Sequence, residues 1–232
     1  MRIGGLKHRI GGNSKVGCVL DIDFKKIGQG HGQSFMSHDV YGHSCAITGA
    51  VWNLNGRSFD NVDDIITIPD AASLRLAAPF TIIANIYNNE LFDSTATKRR
   101  YIVAKLGLAG AKKGFALNFE LDGRLRFITG TADTWQIDYS AKASWDIGWW
   151  HVAVVLLPDS TDLFYVDGRL DKVNTQVHSP IAHDTANLEI GDTTQDAANS
   201  LSFNGIIGSL QICNFSDYAA RILSRSIDSR RN

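Results

Sequence analysis

The chain has 232 residues, of which 44% are apolar and 20% charged, and its formal net charge is −1. A chain of this length can bury a full core, and a β-sandwich of this size commonly forms one domain. No apolar run reaches the roughly 18 residues that a membrane-spanning helix needs. The opening residues, MRIGGLKHRIGG, lack the apolar segment of a secretion signal. We therefore expect one domain without membrane insertion.

Charge is distributed unevenly along the chain. Residues 1–16 contain no acid and four basic side chains, Arg2, Lys7, Arg9 and Lys15. Residues 221–232 carry a net +3, which leaves −8 for the body between them. Because the termini of compact domains often lie close together, the two basic ends can form one surface for a neighbouring subunit. Docking of both ends on their own acidic body is an equally weighted alternative.

The three cysteines are odd in number and lie among apolar residues of predicted strands, at Cys18, Cys45 and Cys213. Free cysteine is among the most buried residue types. We therefore expect three reduced, buried thiols, which fits synthesis in the cytoplasm. A bridge between Cys18 and Cys213 is the alternative, because the first and last strands of a sandwich often pair.

Strand signals dominate along the whole chain: short apolar or alternating runs are bounded by Gly, Asp, Asn and Pro. The predicted strands are residues 16–24, 44–48, 57–59, 65–68, 80–87, 101–105, 115–121, 124–129, 135–139, 150–157, 162–166, 186–190 and 205–215. Strands of this number and spacing predict an all-β, two-sheet antiparallel sandwich. Only residues 218–226 have the spacing of a short helical turn.

Two Asp-Gly pairs, Asp122-Gly123 and Asp167-Gly168, predict hairpins with two-residue type I′ turns, in which both central residues adopt a positive φ. Residues 1–15, which include four glycines, are predicted to form an extended arm. The sandwich domain is expected at residues 16–223, followed by a basic tail at 224–232.

Five sequence fragments in fixed order carry a family resemblance. They are SHDVYGHSCAITGAVWNLNGRSFDNVDDIITIP, PFTIIANIY, YIVAKLG followed by GFALNFELDGRLRF, WDIGWWHVAVVLLPDSTDLFYVDGRL, and LEIGD followed by FNGIIGSLQICNF. Together they resemble the laminin-G-like, concanavalin-type jelly-roll superfamily, in the branch common in bacterial and phage surface proteins. The resemblance implies a jelly roll but not one function, because lectins, adhesins, hormone binders, hydrolases and structural modules share this fold.

Two of the five tryptophans, Trp135 and Trp145, are flanked by polar residues in a predicted loop and edge region. They are therefore the candidates for an exposed surface on which a sugar stacks. The other three tryptophans, Trp52, Trp149 and Trp150, are interpreted as core or rim packing, because large aromatic side chains mostly bury area in such sandwiches. The run 150–155 alternates in a way that suits a strand covered on both faces, so His151 is interpreted as a sheet histidine and not as a base.

Residues suited to catalysis are sparse. Glycoside hydrolysis needs two carboxylates at a set separation. The chain has three glutamates, Glu90, Glu120 and Glu189, and none lies in the Glu-x-Asp-x-x-Glu strand of the related endoglucanases. There is no Gly-x-Ser-x-Gly, Cys-x-x-Cys or His-Glu-x-x-His motif. We expect no enzyme activity, although a Ser-His-Asp arrangement of residues distant in sequence stays open.

Calcium is the cofactor that the resemblance implies, bound by oxygen atoms of sandwich loops. The position of the laminin-type acid holds Lys112 and Lys113, which argues against that site. A pentraxin-like alternative would use Asp192 and Asp196, although a solvated loop is the favoured interpretation. Three further acids are interpreted as turn residues that accept backbone hydrogen bonds, Asp60, Asp63 and Asp64.

These observations lead to three functional hypotheses. The first is a non-catalytic bacteriophage virion protein, such as a capsid decoration, head-fibre or tail-associated module, that binds other virion proteins, itself or a cell-surface glycan. The second is a soluble lectin-like protein outside the cell or at its surface. The third is a polysaccharide hydrolase. The basic ends lack the aromatic and base-reading residues of a specific nucleic-acid binder.

Overall fold

The structure is a computed structural model that describes residues 17–26, 32–196 and 200–215. The predicted arm at residues 1–15, with Arg2, Lys7, Arg9 and Lys15, lies outside the described residues. The same is true of the predicted helical turn at 218–226 and the tail at 224–232. None of the described residues belongs to a helix long and apolar enough to cross a membrane.

The described chain is built almost entirely of strands. In chain order they are β1 Cys18–Asp23, β2 Ser34–Met36, β3 Ser44–Thr48, β4 Val51–Asn53, β5 Gly56–Asp60, β6 Ile65–Ile68, β7 Phe80–Asn88, β8 Arg99–Leu106, β9 Lys112–Phe119, β10 Leu125–Ala132, β11 Trp135–Tyr139, β12 Gly148–Leu156, β13 Asp162–Val166, β14 Arg169–Val173, β15 Leu188–Ile190, β16 Ser200–Leu201 and β17 Asn204–Cys213. Short 3₁₀ turns occur at Ala72–Leu74, Leu108–Gly110 and Thr194–Asp196.

The strands form two sheets that face each other as a sandwich. The first sheet has the order β14-β13-β12-β7-β17-β5-β4, with β1 also paired to β17. The second has the order β11-β10-β9-β8-β15-β6-β3-β2, with β16 also paired to β8. Apart from the parallel pair of β16 with β8, the pairs are antiparallel. The predicted jelly-roll sandwich is therefore confirmed.

The hydrophobic core lies between the two sheets. On β9 the alternate residues Phe115, Leu117 and Phe119 point into it, and β12 of the other sheet contributes Val152 and Val154. These side chains are at most 1% exposed. Full burial of side chains of this size contributes about 1.5–3 kcal/mol each, so the period-2 alternation fixes which face of each strand points inward.

The central strands are covered on their outer faces as well. On β12, Ala153 and Val155 belong to a second buried cluster with Ile83 and Tyr165, on the side away from the main core. His151 shares this outer face and is 2% exposed. The expectation that the run 150–155 forms a strand covered on both faces is confirmed.

One of the two predicted type I′ turns is confirmed. Between β13 and β14, Asp167 has φ 51° and Gly168 has φ 76°, as that turn requires. The Asp122-Gly123 turn is different: the Glu120 N–H donates to the Arg124 carbonyl over 2.9 Å, so three residues form the loop. Only Gly123, at φ 81°, needs a left-handed conformation there. The prediction of a two-residue turn at this position was wrong, because Glu120, and not Leu121, pairs with Arg124 across the loop.

The cysteine prediction needs a correction. The register of β1 and β17 places Cys18 directly opposite Cys213, and the two form a disulfide. The expectation of three reduced thiols is therefore wrong for this pair, and the alternative bridge is the one found. Cys45 is free and fully buried, and burial raises the pKa of its thiol to about 12.

We predict that the double variant Cys18→Ser/Cys213→Ser is less stable than the parent by about 2–5 kcal/mol, because a bond across 195 residues restricts the unfolded chain strongly. Urea denaturation with and without a reductant measures this difference. The reductant should destabilise the parent and leave the double variant unchanged. Equal stability of the parent with and without reductant would contradict the prediction.

Candidate functional site

Of the two tryptophans predicted to form a stacking surface, Trp145 is buried and Trp135 is half-buried, where its role in stacking stays a prediction. Trp145 is 0% exposed, its Nε1 donates to the Gly123 carbonyl over 2.8 Å, and its ring packs edge-to-face on Phe119 at 5.1 Å. The prediction of an exposed Trp145 is wrong, because polar flanking residues do not report the tertiary packing of a large ring. Trp135 is half-buried and packs against a small buried cluster that includes Tyr101 and Ile128 on the outer face of the second sheet.

Trp149 has 42% of its surface exposed, and three residues contact its ring. The Lys25 ammonium lies 5.3 Å from the ring centroid. A Cβ added at Gly208 would lie 3.2 Å from the ring, so the indole packs directly on that glycine. Tyr87 meets it edge-on at 5.5 Å. These contacts agree with the interpretation of Trp149 as rim packing.

The two acids of the predicted calcium loop are engaged by other groups. Asp196 Oδ2 accepts from Arg99 over 3.0 Å and from the Tyr101 hydroxyl over 2.9 Å. Asp192 Oδ1 accepts from the Thr193 N–H over 2.7 Å. Because a guanidinium already compensates Asp196, the loop offers little net charge for a cation. That calcium binds weakly or not at all at Asp192 and Asp196 stays a prediction.

The acids at residues 60–64 serve the turn in which they lie. Asp60 Oδ1 accepts from the Val62 N–H over 2.9 Å, and Asp64 Oδ2 accepts from the Asp60 N–H over 2.8 Å. The interpretation of Asp60 and Asp64 as turn residues is confirmed. One carboxyl oxygen from each of Asp60, Asp63 and Asp64 lies within 4.8 Å of the other two. Asp60 and Asp63 are exposed, and Asp64 is buried.

An open pocket of about 570 Å³ is lined by the loop before β3, the connection between β6 and β7, and the residue that follows β17. Its volume falls in the range of small-ligand sites. We call it the Tyr41 pocket, and its lining residues are Tyr41, Ala72, Ser73, Arg75, Ala77, Ala78, Pro79 and Asn214. It therefore combines one exposed aromatic ring, one cation, two neutral polar side chains and a small apolar wall.

Asp39 holds the loop that carries Tyr41. Its Oδ1 accepts from the N–H groups of Tyr41 over 2.9 Å and Gly42 over 3.1 Å, and its Oδ2 accepts from the Asp21 N–H over 3.1 Å. Three hydrogen bonds to one carboxylate satisfy donors that no strand partner reaches. The ring of Tyr41 stacks on His43 with centroids 5.7 Å apart and remains 54% exposed.

The lining residue Arg75 is held in place by a buried ion pair. Asp70 accepts from the Lys105 ammonium over 2.7 Å and is also bonded to the Arg75 guanidinium. Lys105 is fully buried and donates to the Ala186 carbonyl as well. Hydrogen bonds from Arg75 and Lys105 hold the pKa of Asp70 down at about 2. Arg75 is thereby fixed at the rim, with 42% of its side chain exposed.

The remaining lining residues lie next to the ends of strands β7 and β17. Ala77 and Ala78 precede Pro79, which follows a cis peptide bond. Asn214 directly follows β17, and its N–H donates to the Gly17 carbonyl over 2.9 Å. Sequence reasoning missed this site, although the SHDVYGH fragment that supplies its loop belongs to the first family fragment. The pattern gave Asp39, Tyr41 and His43 no function, because their convergence with Arg75 depends on tertiary packing.

Comparison with known proteins identifies the family. The model of a laminin-G-type family in the concanavalin A-like lectin/glucanases superfamily matches residues 60–221. The chain belongs to this family. A comparison with curated protein sequences finds no match.

Solved structures share the fold of this laminin-G-like domain at low identity. A sialidase of Trypanosoma rangeli in complex with sialic acid aligns with a TM-score of 0.64 at 17% identity, over 92% of this chain and 33% of that chain. A structure of botulinum neurotoxin type C, described as dependent on two ganglioside molecules for cell entry, aligns with a TM-score of 0.68 at 13% identity, over 94% of this chain and 52% of that chain. The binding domain of botulinum neurotoxin DC, in complex with rat synaptotagmin II, aligns with a TM-score of 0.67 at 13% identity, over 92% of this chain and 52% of that chain.

The laminin-G-like chain thus spans a third to a half of these larger chains, and the likeness shows the fold alone. The family model, for its part, places the chain in the concanavalin A-like lectin/glucanases superfamily. The activities and ligands of the complete sialidase and toxins are properties of those proteins.

We predict that acid weakens the domain through Asp70. A carboxyl whose pKa falls on folding contributes stability above about pH 4, and this is lost as the pH falls through about 2. Asp70→Asn should remove a pH-dependent contribution of roughly 1–2 kcal/mol, and should destabilise at pH 7 because buried Lys105 loses its carboxylate. Urea denaturation between pH 2 and 7 measures both effects, with the exposed Asp133→Asn as control. An Asp70→Asn curve parallel to that of the parent would refute the assignment.

Proposed function

We propose that this protein is a non-catalytic carbohydrate-binding module and that the Tyr41 pocket is its ligand site. The observation that carries the proposal is an exposed aromatic ring beside hydrogen-bonding side chains, in a concave site on a lectin-type sandwich. A terminal pyranose is the ligand class that this combination suits.

The chemistry of a pyranose matches the pocket. One face of the sugar ring presents C–H groups that pack on an aromatic ring, and its edges present hydroxyls. Tyr41 offers such a ring on a loop fixed by Asp39, which lowers the entropy lost on binding. Arg75, Ser73 and Asn214 line the same pocket with donors and acceptors for hydroxyl groups.

The carboxyl groups next to the pocket favour binding over hydrolysis. A glycosidase needs one carboxyl protonated near neutral pH as the general acid, beside a second one. The Arg75 and Lys105 hydrogen bonds keep the pKa of Asp70 at about 2, so Asp70 is ionised there. Asp39 is occupied by three backbone N–H groups. Both carboxylates therefore have structural partners that a catalytic role would have to displace.

We predict that Tyr41→Ala reduces glycan binding at least tenfold, while Tyr41→Phe retains most of it, because stacking needs the ring and not the hydroxyl. Arg75→Ala should also weaken binding, whereas Arg169→Ala removes the same charge at an exposed position outside the pocket and should not. A glycan array with neutral and sialylated sugars identifies the ligand, and calorimetry with the best hit gives the affinities. Selective binding that survives both Tyr41→Ala and Arg75→Ala places the ligand elsewhere. No selective hit on the array refutes the proposed function.

The disulfide supports a location outside the cytoplasm. Disulfides persist in extracellular and surface settings, whereas cytoplasmic thiols are kept reduced. The Cys18–Cys213 bond thus favours a protein that works at a surface or in a virion, even if it is synthesised in a host cytoplasm.

A second candidate function is virion assembly, in which residues 1–16 attach the domain to a neighbouring subunit or a bacteriophage particle. What supports it is the charge pattern: the segment carries +4 and the body −8. Complementary charges of this kind favour association between subunits as much as docking within one.

We predict that deletion of residues 1–15 leaves the thermal stability of the domain nearly unchanged and abolishes its multimerisation or attachment to the particle. Light scattering and thermal melts of the truncated and full chains measure the two effects, and a Lys112→Ala/Lys113→Ala variant controls for general loss of positive charge. A truncated chain that melts much earlier but still assembles would show that the segment is structural.

A further inference from the structure

Three side chains of the types that bind metal ions, Asp138, Asp162 and His178, lie close together. Asp138 lies on β11, the edge strand of the second sheet, and Asp162 begins β13 in the first sheet. His178 belongs to the connection from β14 to β15. One ligand atom from each residue lies within 4.8 Å of the other two. The cluster is remote in sequence from the residues of the Tyr41 pocket.

Neighbouring side chains orient two of the three ligands. Thr129 Oγ1 lies 2.6 Å from His178 Nδ1, and His178 Nε2 lies 2.9 Å from Asp138 Oδ2 and 3.6 Å from Asp162 Oδ1. The Asn174 amide donates to the other oxygen of Asp162 over 3.1 Å. Because a carboxylate only accepts, Nε2–H donates to Asp138 in the metal-free chain. A cation that replaces this proton would meet the Nε2 lone pair and both carboxylates. Second-shell bonds of this kind are characteristic of metal sites.

The cluster contains more negative than positive charge. Asp162 is 0% exposed, and no described residue hydrogen-bonds to its Oδ1, which points at His178. A buried carboxylate pair with one imidazole therefore lacks a full counter-charge.

We propose that Asp138, Asp162 and His178 bind one divalent transition-metal ion of the Zn²⁺ type. One imidazole nitrogen and two carboxylate oxygens form a set that suits Zn²⁺, whereas Ca²⁺ prefers oxygen ligands alone. The side chain of Asp138 is 13% exposed, which leaves a solvent side for entry and for a further water ligand. The ion would tie the edge strand β11 to β13 and to the 174–187 connection.

Thr129, His178 and Asp138 also have the arrangement of a catalytic nucleophile, base and acid. That interpretation needs a hydroxyl that can reach a substrate. Thr129 and the side chain of His178 are 0% exposed, so a substrate has no path to the hydroxyl. A structural ion is therefore the better account of this geometry.

Metal binding is tested on the full chain after treatment with EDTA. We expect one Zn²⁺ per chain by calorimetry, and visible absorption bands when Co²⁺ takes its place. Zn²⁺ at one hundred times its Kd should raise Tm by roughly 5–10 °C, and Ca²⁺ should not. Asp138→Asn, which changes the most exposed ligand, should weaken Zn²⁺ binding at least tenfold.

His178→Gln should abolish the Co²⁺ bands, and His183→Gln, which changes a half-buried histidine bonded to the Leu76 carbonyl instead, should retain them. If His178→Gln fails to fold, the comparison of Asp138→Asn with His183→Gln decides. The proposal is overturned if Zn²⁺ does not bind, if Asp138→Asn binds it as tightly as the parent, or if Ca²⁺ stabilises the chain as much as Zn²⁺.

Discussion

The position of the last strand, β17, is the constraint on which the rest of the sandwich depends. It pairs with β7 along nearly its whole length, while its other edge is shared: its first half pairs with β5 and its second half with β1. The first sheet therefore joins the two ends of the described chain at its centre. Pairing over such sequence distances carries a large loop-closure cost, which the disulfide between β1 and β17 removes once it has formed.

The Tyr41 pocket depends on the same closure. Its aromatic loop is attached to β1 through Asp39, which accepts from the Asp21 N–H, and through the His38 N–H, which donates to the Asp21 carbonyl over 2.8 Å. Asn214, on the opposite wall, continues β17. The pairing of β1 with β17 therefore brings the loop that carries Tyr41 and the residue Asn214 to the same pocket.

Much of the fold could be predicted from the sequence, and the parts that could not have a common physical cause. The thirteen predicted strands all appear, because alternation and turn residues are local signals. The strands that were missed, β2, β4, β14 and β16, have two to five residues and lie at edges or off the main order. Edge strands need no apolar alternation, so RLDKV in β14 resembles a loop.

The candidate sites were predicted less well for the same reason. Trp145 has polar neighbours in sequence but apolar ones in space, such as Phe119. Asp138, Asp162 and His178 are each separated by 16 residues or more, and no spacing rule connects them. Their convergence brings together strands of two different sheets and one irregular connection, which is a property of topology and not of local pattern.

The acids of the body are used largely as internal acceptors for the loops. Besides Asp39, Glu189 accepts from the Thr194 N–H and from two threonine hydroxyls, and Asp171 accepts from the Ala141 and Lys142 N–H groups. Sandwich loops have no strand partner for these donors, so buried carboxylates satisfy them. Such carboxylates face inward against N–H dipoles. The −8 of the body therefore overstates the acidic surface that a basic segment can bind.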